Sequence, residues 1–233
     1  MRADKPFVTA IIVGAGNGTR MGGKNKALIK IGDKSAFRLV AEAFLTSVTV
    51  DEIVVVCRDE AEMMAEVSDL KAKPIRYALG GRTRAESVMN GIKAAKGANF
   101  YCIHDCARPL VTPDIIDGVV SAAFKSGAAT ACGPVNDTIK YVNRDNGTVY
   151  TPDRSCLVAV QTPQVFDSKV YAISVAVAAK DGYTSTDDTA LAEHAGFKVD
   201  YIQSETPNFK LTRAEDVYLA RLLYKLSEKE EQV

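Results

Sequence analysis

Three cations, Arg20, Lys24 and Lys26, stand in a thirteen-residue stretch, GAGNGTRMGGKNK (14–26), that also contains five glycines. Glycines let successive backbone N–H groups approach phosphate oxygens and the cations meet the negative charge, so the stretch suits polyphosphate chemistry. The plain alternative is a flexible loop with solvated cations. Two phosphate-binding patterns nearly fit. A dinucleotide loop needs GxGxxG, but Gly14, Gly16 and Thr19 fail at the third glycine, and Arg58 follows VVVC where an acidic residue is required. A P-loop needs GxxxxGK and then a hydroxyl; Gly18, Gly23 and Lys24 are in register, but Asn25 replaces the magnesium-binding hydroxyl.

Other reactive groups are sparse. His104 and His194 are the only histidines, which disfavours a His-rich metal site and limits general bases. The five cysteines (Cys57, Cys102, Cys106, Cys132 and Cys156) form no CxxC pair and are read as buried free thiols. Lys plus Arg equals Asp plus Glu at 29 each, so no global field draws the chain to nucleic acid or an anionic membrane. The early apolar run FVTAIIV (7–13) is too short to span a bilayer, and a cytoplasmic protein is expected.

The elements that must position these groups follow from periodicity. β-Branched runs at 8–13, 52–57, 100–105, 129–135 and 198–202 alternate with amphipathic segments near 36–47, 59–70, 83–95, 113–126 and 167–180. Such alternation predicts an α/β fold, a Rossmann-like, mainly parallel sheet with helices on both faces and ligands at the carboxyl ends of the strands. One stretch breaks the pattern: DTIKYVNRDNGTVYTPDR (137–154) has two alternating runs around Asn146-Gly147, which predicts a hairpin arm. A lone hairpin is marginal in water, so it should lie against its own domain or a second subunit. A helix from 213 to 229 is expected to end the fold, and 1–233 reads as a single domain with this arm.

GAGNGTRM followed by NKAL resembles the signature of the sugar-phosphate and polyol-phosphate nucleotidyltransferases. GGRTRAESV (80–88), HDCARP (104–109), PVNDTIK (134–140), QTPQVF (161–166), TDDTAL (186–191) and NFKLTRAED (208–216) narrow the resemblance. Together they resemble the 2-C-methyl-D-erythritol 4-phosphate cytidylyltransferases of non-mevalonate isoprenoid biosynthesis. The resemblance implies attack of a polyol phosphate on the α-phosphorus of CTP with loss of pyrophosphate, and a need for magnesium or another divalent cation. A phosphate monoester is already anionic near neutral pH, its second pKa being about 6, so no side chain must deprotonate it.

By that resemblance Arg20, Lys26 and Lys210 are the catalytic cations, and Lys24 is a bystander. Ala15, Gly16, Gly18, Gly81, Arg82 and Ser87 bind the nucleotide, with Arg82 acting through its backbone. Asp105 takes the metal and the polyol hydroxyls, and Arg108, Thr162 and Thr186 contact substrate. Thr138 and Arg154, at the two ends of the arm, reach the active site of the second subunit of a homodimer. From the residues alone, Asp105 could instead cap a helix, His104 reads as structural, and Arg154 could be a surface cation.

Gly14 stands where relatives usually have alanine, and Asn25 and Ala27 stand where proline and glutamine commonly flank the catalytic lysine. Losing that proline is expected to loosen the loop by about 0.4–1 kcal/mol. Two other functions remain open at this stage: a ribitol-5-phosphate cytidylyltransferase, and a catalytically silent nucleotide-binding module.

Overall fold

The computed structural model describes residues 5–16 and 25–230. Gly18, Arg20 and Lys24 lie outside the described residues.

The apolar runs become strands β1 (Val8–Val13), β4 (Glu52–Cys57) and β6 (Phe100–Asp105), which pair in parallel with β1 in the middle. Between β1 and β4 lie a small hairpin, β2 (Lys30–Ile31) and β3 (Lys34–Ser35), and helix α1 (Ala36–Thr46). Helix α2 (Glu60–Glu66), strand β5 (Ile75–Leu79) and helix α3 (Arg84–Ala94) lead back to β6. Helix α4 (Pro113–Ser126) and strand β7 (Ala128–Pro134) come next, and after the arm strand β10 (Val158–Asp167) leads into α5 (Ser168–Asp181) and α6 (Thr189–His194). Strand β11 (Asp200–Gln203) and helix α7 (Ala214–Glu230) complete the fold.

The sheet order is β11-β7-β10-β6-β1-β4-β5. All pairings are parallel except those of β10, which runs against both β6 and β7. Strands β5 and β10 are additions to the sequence reading. β10 was hidden by Pro163, which argues against a central strand; its register shifts between Val160 and Gln164, so the proline falls in an irregularity of the ladder.

Strand alternation divides the core. Val8, Ala10 and Ile12 of β1 join Ile53 and Val55 of β4 under α1 and α4, whereas Ile11, Val54 and Val56 face α3 and α5 on the other side. A third cluster, Ile31, Ala36, Leu211, Val217 and Ala220, seats α7 over the β2–β3 hairpin. Helix α3 comes close to the sheet because of Gly91: a Cβ there would lie 2.5 Å from Ile11 Cγ2 and 2.8 Å from Val56 Cγ2. That approach carries the N-terminus of α3 to the carboxyl ends of β1 and β4.

The arm is as placed by the sequence but its strands are short: β8 (Tyr141–Val142) and β9 (Val149–Tyr150) form a two-stranded sheet of their own among the described residues. Gly147 takes the positive φ of 71° that the turn requires, and Asn143 Oδ1 accepts from the backbone N–H groups of Asp145 and Asn146. Ile139, Tyr141, Val142, Val149 and Tyr150 are all exposed. Cys57, Cys102, Cys106 and Cys132 are buried free thiols, as expected, while Cys156 is exposed. No helix among the described residues is long and apolar enough to cross a membrane.

Candidate active site

The chain steps outward from β1 through β4 to β5, then returns to place β6 on the other side of β1. The carboxyl ends of β1 and β6 therefore flank a topological switch point, where open α/β sheets bind ligands. A cavity of about 450 Å³ opens there, lined by Val13–Gly16, the Gly81–Arg84 turn, Ser87, Asp105–Ala107, Lys26, Arg58 and Lys210, among others. Eight predicted site residues thus share one cavity: Ala15, Gly16, Lys26, Gly81, Arg82, Ser87, Asp105 and Lys210.

The glycine-rich turn after β5 is built by close approach. A Cβ on Gly80 would lie 2.2 Å from Ala15 Cβ, and one on Gly81 2.3 Å from Glu86 Cβ. Thr83 caps α3 by accepting from Glu86 N–H at 3.0 Å, as the TxxE spacing anticipates. The Arg82 N–H donates to Glu86 Oε2 at 2.7 Å, while its side chain is 92% exposed. Ser87 is buried; its hydroxyl accepts from Gly81 N–H at 3.0 Å and donates to the Thr83 carbonyl at 2.9 Å. Ser87 thus shapes this wall, and its donor is committed to the turn.

Arg58 Nε donates to the Ala15 carbonyl at 2.9 Å from the opposite rim, steadying the loop after β1. A Cβ added at Gly14 would meet only ordinary contacts of 3.5–3.6 Å, so the loop has room for alanine there. Asn25 has φ −63°, the value proline imposes, and its side chain accepts from Ala27 N–H to cap a single 3-10 turn at Lys26–Leu28. The side-chain cap supplies order that a proline would have provided through its ring.

Asp105, at the end of β6, is held from two sides. Arg84 Nε donates to Oδ1 at 3.1 Å and Lys210 Nζ to Oδ2 at 2.7 Å. Burial on its own would raise the pKa of this carboxyl, but Arg84, Lys210 and Arg108 outweigh it and hold Asp105 below the usual carboxylate range. Asp105 does not cap a helix: Thr112 caps α4. Lys26 Nζ donates to the Leu211 carbonyl at 2.9 Å, Leu211 N–H donates to the Ala107 carbonyl at 2.8 Å, and Arg108 Nη1 donates to the Asn208 carbonyl at 2.8 Å. Residues 208–211 therefore tie together the lysines and the loop after β6.

His104 is fully buried, and burial pushes its pKa down to about 3. Its Nε2 lies 3.3 Å from the Arg108 carbonyl, which can only accept, so Nε2 carries the proton. Nδ1 then accepts from the Thr162 hydroxyl at 3.1 Å, and Thr162 Oγ1 accepts from Asp105 N–H at 3.0 Å. The imidazole is a neutral strut, in keeping with a structural role, and Thr162 is buried behind Asp105.

Arg108, Thr162, Thr138, Arg154 and Thr186 do not line this cavity. Thr138, Arg154 and Thr186 are exposed, and Arg154 Nη1 donates to the Asn136 carbonyl at 2.7 Å at the base of the arm. Sequence reasoning missed Arg58, Arg84 and Asp188. Arg84 and Asp188 stand inside quoted motifs, and their pairing across 104 positions is what the sequence alone does not reveal.

A cavity of this composition at the switch point of a doubly wound sheet defines a nucleotide-binding α/β protein suited to phosphate chemistry. A profile of the IspD family, 2-C-methyl-D-erythritol 4-phosphate cytidylyltransferase, matches residues 8–225, and the chain belongs to that family. It is 38% identical over 221 residues to the enzyme of that name from Caldanaerobacter subterraneus subsp. tengcongensis, covering 92% of this chain and 97% of the relative. The Clostridium acetobutylicum enzyme is 39% identical over 224 residues, with coverages of 93% and 96%. Among solved structures, the 4-diphosphocytidyl-2C-methyl-D-erythritol synthase of Anaerococcus prevotii superposes with a TM-score of 0.84 at 30% identity, covering 95% of this chain and 97% of that one.

Proposed function

We infer that the chain transfers a cytidylyl group from CTP to 2-C-methyl-D-erythritol 4-phosphate in the non-mevalonate route to isoprenoids. The observation that carries this reading is the convergence, in a chain of this family, of Lys26, Lys210 and the ionised Asp105 on one cavity walled by close-packed glycine turns. A substrate phosphate oxygen bonds to the α-phosphorus of CTP, the α–β bridge breaks, and pyrophosphate leaves with its electron pair. Such a reaction needs cations more than a base. The site agrees, because His104 is sealed in the core.

Lys26 and Lys210, with Arg20 from the same glycine-rich stretch, supply the positive charge. The Ala15–Gly16 and Gly81–Arg82 backbone reads the nucleotide, and Ser87 fixes that wall. Asp105 orients the polyol, while Thr162 sets the Asp105 backbone and Arg108 anchors the loop beneath it. Among the described residues no group of three or more His, Cys, Asp or Glu is placed to hold a metal. The donor set fits magnesium all the same, since that ion takes one or two carboxylates and completes its shell with phosphate oxygens and water. Asp105 would hold it, and bound there it would neutralise charge on the triphosphate.

The active form is a homodimer, with the arm laid against the second copy. Exposed apolar side chains on the arm support this, as does the position of Thr138 and Arg154 away from the cavity of their own chain. Thr138 and Arg154 then complete the partner's site, with Arg154 as a phosphate clamp, and Thr186 is a further substrate contact. We place the reaction in the cytoplasm, a reading supported by the short apolar run near the N-terminus, which is too short to span a bilayer.

Incubating the protein with CTP, magnesium and one polyol phosphate at a time, then measuring pyrophosphate release, tests the reading. Release with methylerythritol phosphate is expected; release only with ribitol 5-phosphate would replace the substrate, and none despite CTP binding would make the chain a silent module. The wall geometry gives a second expectation. Gly80→Ala forces Ala15 aside and should weaken CTP binding by about tenfold, the equivalent of about 1.4 kcal/mol, whereas Gly14→Ala should stay within about twofold. Titration calorimetry compares the two, and equal affinities would contradict the proposed base wall.

A further inference from the structure

Arg84 belongs to none of the groups assigned above to nucleotide or substrate. It is the first residue of α3, and its guanidinium reaches two carboxylates: Asp105 Oδ1 at 3.1 Å and Asp188 Oδ2 at 2.6 Å. Asp188 is itself fixed. Its Oδ1 accepts from Tyr171 Oη at 2.8 Å, and its backbone N–H donates to Gln164 Oε1 at 3.0 Å. One side chain thus joins α3, the end of β6 and the loop before α6.

The two cations on Asp105 are not equivalent. Arg84 is clamped at both ends by carboxylates, and its planar fork suits such bridging. Lys210 is a point charge on a flexible stem, 39% exposed, with Asp105 as its one carboxylate partner among the described residues. A phosphate dianion entering the cavity competes for Lys210 far more readily than for a guanidinium spanning two carboxylates.

We propose that Arg84 is a positioning residue for cytidylyl transfer: it keeps Asp105 in place while Lys210 leaves that carboxylate for the phosphate of the polyol substrate. The proposal rests on the function inferred above. Without Arg84, Lys210 is the remaining partner of the Asp105 carboxylate among the described residues and is retained there, so the phosphate meets a less available cation and the reacting groups are less well held.

The test separates binding of the two substrates from turnover. Arg84→Gln should raise KM for methylerythritol phosphate by about tenfold and lower kcat by about tenfold, while the Kd for CTP by calorimetry stays within about twofold. Arg84→Lys restores the charge and should bring KM back to within about threefold, but an ammonium group does not bridge two carboxylates, so kcat stays low. Asp188→Asn keeps an acceptor for Tyr171 and loosens only the outer anchor of Arg84; it should lower kcat with KM unchanged, and with Arg84→Lys it carries the test if Arg84→Gln does not fold. KM and kcat within twofold of the wild type in Arg84→Gln would overturn the proposal. So would a parallel loss of CTP affinity, polyol phosphate affinity and melting temperature, which marks a merely structural role. An inactive wild type overturns the functional reading and this proposal together, whereas an active wild type with an unaffected Arg84→Gln overturns the proposal alone.

Discussion

Lys26→Ala is expected to lower kcat for cytidylyl transfer by about 100-fold or more, the usual cost of losing a transition-state donor. The side chain lines the cavity from the single 3-10 turn after the glycine-rich stretch, and Asn25 holds that turn in place. Its ammonium also donates to the Leu211 carbonyl, so alanine removes both a charge and a tie to the segment that carries Lys210. Lys26→Gln keeps a donor without the charge and distinguishes the two losses in single-turnover kinetics: a rate near that of alanine assigns the effect to charge. Lys24→Ala should change kcat by less than about threefold, since the motif register gives the catalytic position to Lys26 and leaves Lys24 a bystander whose charge is screened by solvent. The reverse ranking of the two lysines would mean that the motif has been aligned in the wrong register.

Arg154→Ala is expected to have the next largest effect, a loss of about 100-fold in kcat/KM for the polyol phosphate with CTP affinity preserved. Arg154 stands at the base of the arm, beside Asn136, and does not line the cavity of its own chain. If it acts in the other copy, two crippled proteins should repair each other. In an exchanged mixture of Lys26→Ala and Arg154→Ala chains, about half the dimers are hybrids, and each hybrid contains one site with both residues intact. Mixing should therefore restore about a quarter of wild-type activity, a consequence of two-fold symmetry and random reassortment. A mixture no more active than its components would refute an arm that completes the neighbouring site.

The parts of the molecule that the sequence displayed plainly are those set by local pattern. VTAIIV, EIVVVC and FYCIHD are strands because β-branched residues fill both faces of a buried parallel sheet, and all six residues of EIVVVC are buried. Asn146-Gly147 announced the arm because the turn needs a positive φ. Asp105, Lys26 and Lys210 were legible through motif order, and the cavity brings them together. What stayed hidden depends on long-range pairing. Strand β10 was not read as a strand, because Pro163 interrupts its local pattern and the irregularity is accommodated only by pairing with β7. Thr162, expected as a substrate contact, also bonds His104 and the backbone of Asp105 through its hydroxyl, a pairing that joins residues more than fifty positions apart. Arg84 drew no reading of its own inside GGRTRAESV, because the two carboxylates that close on it, Asp105 and Asp188, are far away in sequence.

The segment 208–211 gives the site a place in time as well as in space. Asn208 receives Arg108, Lys210 meets Asp105, and Leu211 takes the ammonium of Lys26 while its own N–H reaches Ala107. All of these contacts join residues about one hundred or more positions apart, and they form only after β11 has been made. On the ribosome, a chain that has emerged only as far as α6 already has Asp105, Arg84 and Lys26 but lacks Lys210 and the Leu211 carbonyl that receives Lys26, so its cations are not yet gathered around one site. Domains fold as units during synthesis, and here the late-translated loop acts as a latch. Competence for chemistry is thereby tied to completion of the sheet: partial translation products carry Lys26 but neither Lys210 nor the segment that ties the two lysines to the loop after β6.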